Sequence, residues 1–247
     1  MDRRYDVVTF DMGFTLVYFY PSWLELGLRA FREAGVMVSA ERLVEAWQAM
    51  DREFYQDIAT ATFEPSEEGD NARELEYRRQ LLLRLGFHSE EMLHKLRETE
   101  IAVYAEPGAM RLYPEVRTVL DRLHAEGYRL GIISNWSWNL RKRCQQVGIT
   151  NDFEVILASA YAGCYKPNPT IFRLALERLQ ASPSRAIHVG DDYRADVLGA
   201  QGAGMDAVLV ERDGASLRRG VIKPAPTTYV IRGLEELFPI LENASAR

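Results

Sequence analysis

The feature that most restricts the fold is a short apolar run, VVTF at residues 7–10, cut off from every other strand-like run by a long helical segment. From Trp23 onward apolar residues recur at helical spacing in WLELGLRAF, LVEAWQAMDREFY, LEYRRQLLLRLGF and MLHKLRETEIAVY, so four helices fit. Residues 61–71, with Pro65, Gly69 and several acids, read as the loop joining the second to the third. After Pro107 the texture changes. Strand-like YRLGIIS, FEVILAS, AIHVGD, DAVLV and TYVI alternate with helical NLRKRCQQVG, PTIFRLALERL, a helix to about Gly202, and LEELFPIL. Such alternation predicts an α/β fold, a parallel sheet covered by helices on both faces. The early strand has no partner in the helices that follow it and must pair with the later strands. Residues 18–105 then form an inserted all-α domain, and residues 1–17 and 106–247 the core.

The chain has 247 residues, 47% hydrophobic and 27% charged, enough for a core domain carrying a smaller one. A formal charge of −6 argues against a general nucleic-acid or anionic-membrane surface and leaves room for a local basic pocket. The opening MDRRYDVV has no apolar signal region and no run of about 18 apolar residues occurs, so the expectation is a cytoplasmic protein. Cys144 and Cys164 are the two cysteines; without CxxC spacing or companion ligands they read as free thiols. The stretch LRRGVIKPAPTT, residues 217–228, reads as a surface connection. A monomer and a homodimer are both compatible with the sequence.

Polar residues gather where the strands end: Asp11, then Ser134 and Asn135, then Lys166, then Asp191, Asp192 and Asp196. Open parallel sheets bind ligands outside the carboxyl ends of their strands. Each residue alone has an ordinary reading as a cap, a turn former or a solvated charge. Together on one sheet edge they make a reaction centre. A carboxylate attacks phosphorus or carbon once the negative charge of nucleophile and substrate is offset. Lys166 supplies a cation, and Asp11, Asp191 and Asp192 or Asp196 offer hard oxygens suited to Mg²⁺. The hydroxyl of Ser134 and backbone N–H groups at Ser134 and Asn135 suit transferring oxygens. Asp196 stands about one helical turn beyond Asp191 and faces the same pocket.

With these residues in order, the sequence resembles the haloacid dehalogenase-like (HAD) hydrolase superfamily, in the subgroup with a helical cap inserted after the first motif. FDMGFT resembles the first motif, GIISN the second, the lysine of YKPNPTIF the third, and HVGDDYRADVLGAQGAGM the fourth. The resemblance implies a Rossmann-like core, a cap closing over the substrate, and Mg²⁺ for phosphatases. It makes Asp11 the nucleophile, Ser134 and Lys166 the phosphate binders, and Asp191 a metal ligand supported by Asp192 or Asp196. The implied partner is a small phosphorylated metabolite.

Gly13 departs from that pattern. Phosphatases of the family usually carry a second aspartate there, an acid for the leaving alkoxide and a base for water, whose backbone carbonyl also meets Mg²⁺. Glycine keeps the carbonyl and loses the acid, a function typically worth about 10²- to 10⁴-fold. Three readings stay open: a Mg²⁺-dependent phosphatase with impaired acid catalysis, a metal-independent 2-haloacid dehalogenase, and a binding or regulatory protein on a retained scaffold. The dehalogenase explains Gly13, since halide leaves without a proton, but not the clustered carboxylates. A phosphonoacetaldehyde hydrolase needs a cap lysine, and the insertion has only Lys95, late in its last helix.

Trp136 and Trp138 fall at the mouth of the site, with core-to-cap packing their first reading. His188, inside an apolar strand without a second histidine at ligand spacing, reads as a satisfied core residue. His88, His94 and His124 read as solvated. Tyr18, Tyr20 and Trp23 suggest packing near the start of the cap, with specificity as their alternative role.

Overall fold

The computed structural model describes residues 3–58, 60–212, 225 and 229–244. Almost all of the 217–228 stretch lies outside them. β1 (Val7–Phe10) lies inside a six-stranded sheet of order β5-β4-β1-β6-β7-β8, built with β4 (Arg129–Ser134), β5 (Val155–Ala158), β6 (Ala186–Gly190), β7 (Asp206–Val210) and β8 (Tyr229–Ile231). Every pairing is parallel, and β1 sits between β4 and β6 as its lack of a local partner requires. Strand order reverses beside β1, which opens a crevice at its carboxyl end.

Alternation along β1 divides the core. Val8 and Phe10 pack with α5 (Val116–Ala125), α6 (Leu140–Gln146) and α10 (Leu237–Ala244) through Val119, Leu120, Cys144 and Phe238. Val7 faces the opposite layer with Ile171, Phe172 and Leu176 of α8 (Pro169–Arg178) and Ala200 of α9 (Gly199–Gly202). Between β5 and α8 lies a short α7 (Ser159–Ala162). Asp11 continues the parity of Val7 and Thr9, so its side chain emerges toward the α8 layer. The segment before α9, Tyr193–Leu198, is a π turn.

The helical insertion leaves and rejoins the core through a ribbon absent from the sequence reading: β2 (Val17–Phe19) pairs antiparallel with β3 (Met110–Leu112). Three-residue strands are too short to show a period. Between them run α1 (Trp23–Glu33), α2 (Ala40–Asp57), α3 (Glu67–Arg84) and α4 (Glu90–Ala105). Each starts on a serine whose hydroxyl accepts a backbone N–H: Ser22 from Glu25, Ser39 from Arg42, Ser66 from Gly69 and Ser89 from Met92. This corrects the 61–71 loop. Helix begins at Glu67, because Ser66 caps it and Glu67, Glu68 and Asp70 fall in the first turn, where the helix dipole favours acids. Leu43, Trp47, Leu81, Leu82, Leu93 and Leu96 form the separate core of this insertion.

Candidate active site

Asp11 follows directly on β1 and is 6% exposed. Ser134, at the end of neighbouring β4, donates its hydroxyl to Asp11 Oδ1 at 2.9 Å. Lys166 Nζ donates to the same oxygen at 2.5 Å, to Asp196 Oδ1 at 2.5 Å and to the Ile133 carbonyl at 2.9 Å. Both side-chain donors meet Oδ1, so among the described residues no hydrogen-bond donor engages Oδ2.

The ammonium of Lys166 is 2% exposed. Burial alone would lower its pKa, but the charges of Asp11 and Asp196 outweigh burial and hold it above the ordinary lysine value. Burial alone would likewise raise Asp196, and the adjacent ammonium with the His188 hydrogen bond reverses that and holds its carboxyl well below the usual range. The site therefore holds the Lys166 ammonium charged beside the Asp196 carboxylate.

The Asn135 side chain is engaged with Lys166. Its Oδ1 accepts the Lys166 N–H at 2.7 Å and its Nδ2 donates to the Lys166 carbonyl at 2.9 Å, clamping the lysine's backbone from both sides. Asp192 also differs from the other acids. Its Oδ1 accepts the N–H groups of Arg194 and Ala195 at 2.8 and 2.9 Å, capping the π turn, and its own N–H donates to Asp196 Oδ2 at 2.9 Å. Asp11, Asp191 and Asp196 instead bring one carboxylate oxygen each to within 4.8 Å of one another. The cluster thus sets three carboxyl groups beside one ammonium. A hard divalent cation suits that donor set, and Mg²⁺ fits it on chemistry.

His188 is fully buried, with Nδ1 2.9 Å from Thr9 Oγ1, Nε2 3.2 Å from Asp196 Oδ1, and Phe172 edge-on at 5.1 Å. It is a satisfied core residue that also supports the site, a contact the sequence reading did not foresee. Another missed residue is Asp70. Its buried carboxylate accepts the Trp138 N–H at 2.8 Å, tying α3 of the insertion to the loop after β4. Trp138 stacks near Tyr161 at 4.0 Å, whereas Trp136 turns toward Gly13. Arg212, just beyond β7, pairs with Glu115 at 2.5 Å and donates to the Thr15 carbonyl at 3.1 Å, bracing the turn that follows Asp11.

Residues of the insertion fall into packing roles. Trp23 and Trp47 have ring centroids 3.8 Å apart, Tyr18 lies 5.2 Å from Tyr113, and half-exposed Tyr20 carries the Arg111 guanidinium at 3.7 Å. His88, His94, His124 and Lys95 are exposed, and Cys144 and Cys164 are free and buried. No helix among the described residues is long and apolar enough to cross a membrane.

Comparison with known proteins agrees with this geometry. The family model for haloacid dehalogenase-like hydrolases matches residues 5–204. The glyceraldehyde 3-phosphate phosphatase of Methanothermobacter thermautotrophicus is 35% identical over 137 residues, 53% of this chain and 59% of that protein, so the chain spans little more than half its length. The ribulose-1,5-bisphosphate 5-phosphatase of Halopiger xanaduensis is 31% identical over 83% of this chain and 84% of its own. Among solved structures, Bacillus subtilis YfnB bound to magnesium superposes with a TM-score of 0.72 at 23% identity, covering 97% of this chain and 100% of that one. A 2-haloacid dehalogenase from Pseudomonas syringae superposes with a TM-score of 0.63 at 26% identity, covering 97% and 99%. The strand-end carboxylates, the buried lysine and the helical insertion thus sit in a chain that belongs to the haloacid dehalogenase-like hydrolase family.

Proposed function

We propose that this chain is a Mg²⁺-dependent phosphatase that cleaves a small phosphate monoester through an aspartyl-phosphate on Asp11. The observation that carries the reading is Lys166, buried between Asp11 and Asp196 beside a three-carboxylate cluster. A phosphate dianion approaching Asp11 needs positive charge around it. The ammonium of Lys166 provides part of it, and its position on Oδ1 leaves Oδ2 to form the bond to phosphorus. Ser134 reaches the same locus with a hydroxyl able to turn from Asp11 to a phosphoryl oxygen. Asp11, the Gly13 carbonyl and Asp191 would hold Mg²⁺, with Asp196 in reach of the same ion and Asp192 shaping the turn that carries it. Held there, Mg²⁺ would supply charge neutralisation for the transferring phosphoryl group.

The three-carboxylate cluster sets this reading above a metal-independent dehalogenase, which needs no cation site. Gly13 favours the dehalogenase in one respect, the absence of an acid beside Asp11. The two are separated by measuring phosphate release from p-nitrophenyl phosphate and chloride release from 2-chloropropionate, with Mg²⁺ and with EDTA, by the wild type and Asp11→Asn. The expected result is phosphate release that disappears in EDTA and in the variant. Chloride release that persists in EDTA would replace the phosphatase with the dehalogenase. Silence in every assay would favour a binding protein.

A further inference from the structure

The surroundings of Asp11 hold a wall where a proton donor would be useful. Among the described residues, a Cβ placed on Gly13 would meet Cζ3 of Trp136 at 3.6 Å. The indole therefore borders the space over Gly13, two residues beyond the nucleophile. It is held there from several sides. The Trp136 N–H donates to Ser159 Oγ at 3.2 Å, its carbonyl accepts from Ser159 Oγ at 3.1 Å and from the Ala160 N–H at 3.3 Å, and its indole N–H is turned away to Asn139 Oδ1 at 3.0 Å. With that N–H engaged, the ring edge facing Gly13 is hydrocarbon.

The other groups around Asp11 are no better as acids. Lys166 gives its protons to two carboxylates and a carbonyl at 2.5–2.9 Å, and losing one would leave those anions buried without compensation. Ser134 is an alcohol bonded to Asp11 itself. Among these described groups, none is placed as an acid to meet an alkoxide departing from phosphorus.

The geometry points to a substrate whose ester oxygen is borne on an unsaturated carbon, a phosphate of a phenol or enol, with its flat skeleton against the six-membered ring of Trp136. This rests on the phosphatase reading and names its substrate class. In the first step Asp11 Oδ2 bonds to phosphorus and the phosphorus–oxygen ester bond breaks; its electron pair stays on the leaving oxygen, which departs as a phenolate or enolate and takes its proton from solvent. In the second step water attacks the aspartyl-phosphate, the phosphorus–Oδ2 bond breaks to restore the carboxylate, and the water proton passes to solvent, leaving inorganic phosphate. Delocalised charge makes the first departure feasible without an enzyme acid.

The test pairs phenyl phosphate with benzyl phosphate, which carry the same ring on a phenolic and an alkyl oxygen. With Mg²⁺, kcat/KM should favour phenyl phosphate by at least about 10²-fold, the size of a missing general acid. Independently, phenylphosphonate, which has no leaving group, should inhibit more strongly than methylphosphonate by about 3- to 10-fold, as expected of an aromatic contact. Trp136→Leu should erase that preference for the ring and leave the phenyl-to-benzyl ratio in place. Comparable turnover of phenyl and benzyl phosphate would overturn the substrate class, and an inhibitor preference unchanged in Trp136→Leu would overturn the assignment of the wall. Both failures leave the phosphatase reading standing. If p-nitrophenyl phosphate is also untouched, that reading fails and the substrate class falls with it.

Discussion

Asp196 lies so close against Gly190 that a Cβ built on the glycine would stand 2.2 Å from Asp196 Cγ and 2.3 Å from its Oδ2. The strand end and the π turn meet there without a side chain between them. Asp196 is held in that place by the Asp192 N–H on one oxygen and Lys166 with His188 on the other. Gly190→Ala forces the carboxylate away from the lysine. Overpacking of this kind costs about 1–3 kcal/mol. Calorimetry should show a lower Tm, and Mg²⁺-dependent phosphate release should fall by at least about tenfold, since a shift near 1.4 kcal/mol in the barrier gives that factor. A variant with wild-type kcat would show that Asp196 does not need its present position.

Lys166 separates two buried carboxylates, and its removal leaves them facing each other. Lys166→Met should destabilise the fold by about 3–5 kcal/mol, the cost of an uncompensated buried charge. For a chain of this size that is roughly 6–20 °C in Tm. The double variant Lys166→Met with Asp196→Asn should recover part of the loss, because one anion has been neutralised. If the single and double variants melt together, the ammonium is not what stabilises Asp196.

Position 13 can accept a side chain. Its backbone lies outside the positive-φ region, and among the described residues an added Cβ would meet Trp136 at an ordinary 3.6 Å. Gly13→Asp should therefore fold, and the new carboxyl should raise hydrolysis of an alkyl phosphate far more than that of an aryl phosphate, by up to about 10²- to 10⁴-fold. Equal gains on both would mean that protonation of the leaving group is not the limiting loss.

Burial pushes the Cys144 thiol up to about 12, against a small opposing effect of Arg141. The unfolded chain ionises this thiol near its ordinary value of 9.0 while the folded chain keeps it protonated. Its contribution is thus fully present below pH 9 and declines as pH rises toward 12, by at most about 1.4 kcal/mol per pH unit. Urea midpoints of wild type and Cys144→Ala at pH 8 to 11 check the sign: the stability advantage of the wild type should shrink as pH rises. A constant difference would show that the thiol ionises alike in both states.

Legibility in the sequence followed the range of the interactions. The apolar runs before Asp11, Ser134 and Asp191 have local period, so the strands and the residues at their ends could be read directly. β2 and β3 escaped because three residues show no alternation. The start of α3 was misplaced because Gly69 and a cluster of acids resemble a loop until Ser66 is seen to cap them. Helix α5 was overlooked beside the stronger strand signals around it. Among the acids, nothing local separates Asp192, which caps a turn, from Asp196, which holds the lysine.

The sequence by itself determined the alternation that builds a parallel sheet, the early strand that must enter it, the strand-end polar residues, and a glycine two residues beyond Asp11. These are properties of single residues and short periods. Only the tertiary structure decided that Ser134, 123 residues from Asp11, and Lys166, 155 residues from it, share the same carboxylate oxygen. It also turned Asn135 into a clamp on the lysine and set Trp136 over Gly13. Hydrogen bonds and ring contacts are selected by distance and angle at the scale of a few ångströms, and those follow from how strands and loops pack, which residue order alone does not encode.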